Sequence, residues 1–175
     1  MRLADIATPA LILDRRTLAS NCMRMAARAA KLGVKLRPHL KTAKSAEVAR
    51  IATAGQFGGI TVSTLAEARY FAERGFRDLT YAVGVVPAKL DEIAALQAGG
   101  ARIQIICDDA AVARAVAARA EAIGAEFDML IEIDTGGGRA GVLPEAPEVL
   151  EIARLVHDAE RLTLRGVLTH AGHSY

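Results

Sequence analysis

The chain has 175 residues, which is enough for one ordinary domain and too few for most two-domain enzymes. Apolar residues make up 52% of it and charged residues 24%, a balance that is typical of a globular protein rather than a disordered one. A net charge of +2, no basic cluster interleaved with aromatic residues and no long apolar run together exclude nucleic-acid-binding and membrane-spanning classes. We therefore expect a cytoplasmic protein.

Short β-branched or apolar runs alternate along the chain with Ala-rich segments of helical spacing. The runs that predict strands are 10–13, 36–40, 60–63, 79–83, 103–107, 129–133 and 166–169. From residue 34 onward, successive runs are separated by about 20–35 residues, the length of a β-α-β unit. Right-handed crossovers between such strands give a parallel sheet with helices outside it.

The segments between the strands carry helix start and stop signals. An apolar stripe at helical spacing predicts a first helix that ends at Gly33, and it consists of Leu18, Cys22, Met25, Ala29 and Leu32. Thr64 and Glu67 form a capping-box pattern at the start of a later helix. Another helix is predicted to begin at Asp108 or Asp109 and to end near Gly124.

Six strands after the N-terminal one, with no reversal signal, predict an α/β fold of the (β/α)8 barrel type. A flavodoxin-like or Rossmann sheet would use the same period, but no GxGxxG follows the first strand. A complete barrel has eight units and typically ~250 residues. We therefore expect a partial barrel with about six of its eight units, two open sheet edges and an uncovered apolar interior.

The end of the first barrel strand, residues 36–41, carries a basic cluster. Because side chains alternate along a strand, Arg37, His39 and Lys41 share one face, which we expect to line the barrel interior. The other face, which would meet the helices, consists of Leu36, Pro38 and Leu40. Lys41 would lie at the carboxyl end of the strand, where barrel enzymes have their active sites. A partly desolvated lysine amine there is a usable nucleophile. The alternative is a solvated loop lysine, since Lys44 is only three positions further on.

Two further clusters follow the ends of later strands. In residues 132–141 (EIDTGGGRAG), three glycines permit positive φ or close approach to a ligand, and Arg139 is either a cation aimed at an anionic group or a surface side chain. In residues 169–175 (THAGHSY), His170 and His173 lie three positions apart without a carboxylate. We predict no metal site there, and a stacking or hydrogen-bonding role for His170 at the barrel mouth.

Taken together, these segments resemble fold-type III pyridoxal-phosphate enzymes, whose N-terminal domain is an alanine racemase-like barrel. The closer resemblance is to the D-serine dehydratase and D-threonine aldolase family. It is carried, in chain order, by residues 8–11 with Asp14, and by 37–44, 62–68, 134–142 and 169–175. The resemblance implies that residues 1–175 are the truncated N-terminal portion of such a pyridoxal-phosphate barrel domain, with the C-terminal β domain absent.

The resemblance also implies roles for particular residues. Lys41 would be the lysine that holds pyridoxal 5′-phosphate covalently, in preference to Lys44. Arg139 resembles the arginine that approaches the phenolic oxygen of the cofactor, and His170 resembles the histidine packed near its pyridine ring. His39 and Tyr175 complete the expected cofactor-binding set.

Two departures from the family pattern matter. Ala43 stands where the family usually has a histidine. The family's later parts are missing, among them the glycine-rich phosphate-binding loops and the β domain that supplies His and Cys ligands to an activating divalent metal. We therefore expect this chain alone to lack the metal site and many of the contacts that bind the cofactor's phosphate, and to be inactive by itself.

For the full-length parent, the resemblance implies a pyridoxal-phosphate-dependent lyase, in the form of a homodimer, that acts on small D-β-hydroxy amino acids. Residues 62–68 and 81–83 resemble the dehydratase branch, which favours D-serine dehydratase-like elimination of water followed by deamination. Four alternatives stay open: D-threonine aldolase-like retro-aldol cleavage, amino-acid racemisation, a non-catalytic pyridoxal-phosphate-binding protein, and an inactive structural fragment.

Overall fold

In a computed structural model that describes residues 2–174, strands and helices alternate to form a curved parallel sheet with helices on one side. The strands are β1 (Ile60–Val62), β2 (Asp78–Gly84), β3 (Arg102–Cys107), β4 (Phe127–Glu132) and β5 (Leu162–Leu168). They pair in sequence order, and every pair is parallel. Doubly wound sheets instead reverse their strand order at a switch point, so the barrel-type prediction is confirmed.

Six α-helices connect or flank these strands within residues 2–174: α1 (Arg15–Lys31), α2 (Ala46–Thr53), α3 (Leu65–Ala72), α4 (Leu90–Ala98), α5 (Ala110–Ile123) and α6 (Pro147–Asp158). The predicted N-caps are present, but the capping box of Thr64 and Glu67 is only half formed, because the Glu67 carboxylate accepts from the Ser63 amide. The Thr64 side chain accepts a hydrogen bond from the Glu67 amide at 3.1 Å, and Asp109 accepts one from the Val112 amide at 2.8 Å. Gly124 ends α5 with a φ of 65°. None of the helices described is both long and apolar enough to cross a lipid bilayer.

The two faces of the sheet have opposite character. The face toward the helices is apolar and buried, and includes Ile60, Val62, Leu79, Tyr81, Ile103, Ile105, Phe127, Met129 and Ile131. On the concave face, polar side chains pair across neighbouring strands: Thr80 with Gln104 at 3.0 Å, and Arg102 with Asp128 at 2.9 Å. The interior that we expected to be apolar therefore also contains polar pairs, although Ile106 and Leu130 lie on the same face as Gln104 and Asp128.

The segment predicted as the first barrel strand is joined to the sheet by a single bridge, between His39 and Thr61. The Leu40 amide donates to the Thr61 carbonyl at 2.9 Å, and the Thr61 amide donates to the Pro38 carbonyl at 2.8 Å. Because Pro38 has no N–H of its own, it cannot donate a ladder hydrogen bond. The alternation prediction is nevertheless confirmed, since Leu40 is buried in the apolar core.

Two predictions for the chain termini are wrong. Residues 10–13 form no strand, and Leu11, Ile12 and Leu13 are exposed because no neighbouring strand among residues 2–174 pairs with them. Strand β5 begins at Leu162 rather than at residue 166, because Arg165 is a bulge that interrupts its alternation against β4.

The cap of α5 gives a stability prediction. Replacement Asp109→Ala removes the acceptor for the Val112 amide and is expected to lower the free energy of unfolding by about 1 kcal/mol, measured by urea denaturation. Asp109→Asn retains an accepting oxygen and should leave the free energy of unfolding nearly unchanged. An equal loss in both variants would contradict the assignment of the cap.

Candidate active site

A cavity of about 670 Å³ opens at the carboxyl ends of the strands, where barrel enzymes have their active sites. Strands β1, β2, β4 and β5 and the loops after them contribute to its lining. The predicted residues that line it are Arg37, His39, Lys41, Arg139 and His170. Segments far apart in sequence therefore meet in one place. The predicted cofactor contact at Tyr175 lies outside the described residues.

Lys41 and His39 are held together at the mouth of this cavity. The Lys41 amide donates to His39 Nδ1 at 3.3 Å, and His39 Nε2 lies 3.4 Å from the Ser63 hydroxyl oxygen. Burial lowers the pKa of His39 below its usual value, and the positive charge of Lys41 lowers this pKa further. Because Nδ1 accepts, the neutral ring carries its proton on Nε2 and donates it to Ser63.

The second lysine of this segment has a different environment. Lys44 Nζ lies 3.2 Å from Glu67 Oε1, and Lys44 does not line the cavity. Arg37 lines the cavity but its guanidinium donates to the Asp78 carboxylate at 2.8 Å and to the carbonyls of Ile60 and Asp78. Of the cations in residues 35–44, only Lys41 therefore combines exposure to the cavity with the absence of a carboxylate partner.

The glycine run is folded around a carboxylate of the same loop. Asp134 Oδ1 accepts hydrogen bonds from the amides of Gly136, Gly137 and Gly138 at 2.9–3.2 Å. Positive φ values of 103° at Gly136 and 59° at Gly138 allow these amides to converge. The Gly136 and Gly138 amides lower the pKa of Asp134. The glycines therefore shape the loop that carries Arg139.

Arg139 and His170 follow the ends of different strands, and their side chains contact each other on one side of the cavity. Arg139 Nη1 lies 3.0 Å from His170 Nε2. An arginine is always a donor, so the His170 Nε2 that accepts this bond carries no proton. The pair gives one side of the cavity a fixed cation next to an imidazole ring.

Glu132 is a site residue that we did not predict. It ends β4, it lines the cavity, and only 7% of it is exposed. Burial raises the pKa of Glu132, and the neighbouring Asp108 carboxylate raises it further, while Arg139 and His170 oppose this effect. The sequence feature that could have identified Glu132 is that it is the one carboxylate in the otherwise apolar run 129–133, at an inward-facing position.

The described residues do not assemble a metal site. Within residues 2–174, no group of three or more His, Cys, Asp or Glu side chains converges to hold a metal ion. His170 is bonded to Arg139 instead.

Comparison with known proteins identifies the family of this fold and site. Residues 13–175 match the family described as the alanine racemase N-terminal domain. The chain belongs to that family.

Three relatives show the range of activities among similar proteins. D-threo-3-hydroxyaspartate dehydratase of Delftia sp. (strain HT23) is 43% identical over 99% of this chain and 46% of its own length. 3-Hydroxy-D-aspartate aldolase of Paracoccus denitrificans is 34% identical over 97% of this chain and 44% of its own length. D-serine dehydratase of Dictyostelium discoideum is 29% identical over 98% of this chain and 46% of its own length. The chain thus spans under half the length of each relative.

Structural comparison agrees with the sequence comparison. The structure of the Delftia dehydratase superimposes with a TM-score of 0.93, covering 98% of this chain and 45% of that one. The described residues therefore adopt the fold of the part of that enzyme that they match.

The buried carboxylate of Glu132 predicts a pH-dependent stability difference. The pKa of Glu132 is raised in the folded state, so ionisation of Glu132 lowers the free energy of unfolding as the pH rises above the pKa of glutamate in an unfolded chain, about 4.3. Glu132→Gln removes this cost, so the variant's melting temperature should exceed that of the wild type at neutral pH, and the difference should shrink below about pH 4.

This comparison is made on cofactor-free protein by calorimetry across the pH range. Glu145→Gln is the control, because Glu145 is exposed and lies outside the cavity. A Glu132→Gln variant that melts below the wild type at neutral pH, or whose advantage grows in acid, would contradict the assignment.

Proposed function

We propose that this chain is the N-terminal portion of the barrel domain of a pyridoxal-phosphate-dependent lyase that acts on D-β-hydroxy amino acids. The observation that carries the proposal is that Lys41 lines the same cavity as Arg139 and His170. Membership of the alanine racemase N-terminal domain family and the names of the relatives support it.

The side chains around the cavity fit this cofactor chemically. A primary amine is the group that bonds to an aldehyde, and Lys41 supplies one without a carboxylate partner among residues 2–174. Arg139 offers a fixed cation for an anionic oxygen, and the His170 ring offers a flat surface for a heteroaromatic ring. When bound, pyridoxal phosphate supplies an electron sink for negative charge that develops at the substrate's α-carbon.

Within this scheme, the residues of the chain bind, orient and move protons. Lys41 would hold the cofactor, and its Nζ would take the proton from the substrate's α-carbon. Arg139 and the loop around Asp134 keep a positive charge at a fixed place in the cavity. Burial and the charge of Lys41 lower the pKa of His39, which disfavours a second positive charge beside Lys41.

We favour elimination of water from the substrate over cleavage of its carbon skeleton. The relative with the higher identity is a dehydratase, and the aldolase is more distant. D-Serine dehydratase also lies among the relatives, which supports the same branch. Retro-aldol cleavage is the second candidate function, because an aldolase aligns over nearly the whole chain.

The cofactor assignment predicts a covalent bond at Lys41. Adding pyridoxal phosphate to the full-length polypeptide should give a visible absorption band, and borohydride reduction should fix the cofactor's mass on the peptide that contains Lys41. Lys41→Ala should abolish both signals, while Lys44→Ala should still give them once the mixture has reached equilibrium, because Lys44 is paired with Glu67 and does not carry the cofactor. Loss of both signals in Lys44→Ala but not in Lys41→Ala would refute the assignment.

The reaction assignment predicts the products. D-Serine should give equal amounts of ammonia and pyruvate, and D-threo-3-hydroxyaspartate should give ammonia and oxaloacetate, because loss of water is followed by hydrolysis of the unsaturated amine. Coupled assays for 2-oxo acid and ammonia measure this, with the L-isomers and Lys41→Ala as controls. Formation of glycine with an aldehyde would instead establish the aldolase reaction.

A further inference from the structure

Glu67 is a buried carboxylate next to the cavity to which the proposed function assigns no role. Only 8% of its side chain is exposed, compared with 62% for its ion-pair partner Lys44. Each of its oxygens has a partner: Oε1 lies 3.2 Å from Lys44 Nζ, and Oε2 accepts a hydrogen bond from the Ser63 amide at 2.8 Å. In a standard capping box this carboxylate would accept from Thr64 instead. Glu67 thus reaches one residue further back along the chain.

One partner of Glu67 belongs to the turn that carries Lys41. The Lys44 amide donates to the Leu40 carbonyl at 2.9 Å and closes this turn. Lys44 has a φ of 45° and is the only non-glycine residue with positive φ between residues 2 and 174. Such a conformation is unfavourable for a side chain with a Cβ, so surrounding contacts must stabilise it. The ion pair to Glu67 is such a contact.

The other partner of Glu67 is Ser63, which directly follows β1 and is connected to Lys41 through His39. Glu67 fixes the amide of Ser63, whose hydroxyl oxygen lies 3.4 Å from His39 Nε2. His39 Nδ1 in turn accepts from the Lys41 amide at 3.3 Å. Glu67 is therefore linked to both sides of Lys41: directly to Lys44, which follows it, and through Ser63 to His39, which precedes it.

We propose that Glu67 is a positioning residue for Lys41: by binding Lys44 and the Ser63 amide together, it holds the 40–44 turn so that the Lys41 amine faces the cavity. This inference rests on the proposed function. An exposed ion pair would contribute little to stability. Loss of Lys44 would, however, leave a buried charge without its cationic partner, which couples the two residues. Misplacement of a reacting group by about 1 Å costs about 100-fold in rate.

The test is a double-mutant cycle on the full-length polypeptide with Glu67→Gln, Lys44→Gln and the double variant. Glutamine preserves the shape of Glu67 and an oxygen for the Ser63 amide, so it removes only the charge. The first measurement, without cofactor, is hydrogen exchange of the peptide that spans residues 40–45. The second is the rate at which added pyridoxal phosphate is captured on Lys41, followed by borohydride trapping and peptide mass.

We expect each single variant to exchange faster in residues 40–45 and to capture pyridoxal phosphate about 100-fold more slowly. The double variant should be no slower than either single one, because both remove the same contact. Glu92→Gln is the matched control. It removes the ion pair between Glu92 and Arg69 of α3, whose atoms lie 2.7 Å apart, and Glu92 has no ion pair with the 40–44 turn. The exchange rate and the capture rate should therefore both stay at the wild-type value.

The outcomes separate this inference from the proposed function. Unchanged exchange, or faster exchange with an unchanged capture rate, refutes the positioning role while wild-type capture at Lys41 still supports the proposed function. An equal loss in Glu92→Gln also refutes it, because the effect would then be general to α3. Failure of the wild type to capture the cofactor at Lys41 refutes the proposed function and this inference with it.

Discussion

The cavity depends on the alternation of side chains across parallel strands that are apolar on one face only. Ile103 and Ile105 of β3, for example, are buried against the helices, while Gln104 between them bonds to Thr80 on the concave side. Because Thr80 and Gln104 bond to each other across the strands, both can lie on the concave face without losing a hydrogen-bond partner. The same parallel arrangement places all the strand ends at one edge, which brings Lys41 and His170 together.

Carboxylates of the chain itself shape the glycine loop that presents Arg139 to this cavity. Asp134 binds three successive amides of the glycine run, and Asp108 accepts from the Gly141 amide at 2.9 Å. Gly141 must be a glycine, since a Cβ there would lie 2.5 Å from the Asp134 nitrogen and its φ is 101°. The glycine loop is therefore held by internal hydrogen bonds before any ligand arrives. This is preorganisation of the kind that binding sites require.

Much of this could be predicted from the sequence because it depends on local patterns. The period of the apolar runs predicted β2 to β4 within a few residues, and the alternation of residues 36–41 predicted the burial of Leu40. Long-range effects could not be predicted in this way. The pattern of residues 10–13 is that of a strand, but a strand needs a hydrogen-bonded neighbour. The role of Glu67 depends on Lys44 and Ser63, which only the folded chain brings to its two oxygens.

The distribution of ion pairs determines which positive charges of the cavity lining have no carboxylate partner. Arg37 is paired with Asp78, Lys44 with Glu67, and both Arg102 and Arg165 with Asp128. Among residues 2–174, Lys41 and Arg139 are the strong bases of the cavity lining that have no carboxylate partner within ion-pair distance. Glu132 is the one carboxylate in that lining, and its burial disfavours its charged form. The cavity is therefore left with positive charge that a ligand can neutralise, which favours a group with both an anionic oxygen and an electrophilic carbonyl for the Lys41 amine.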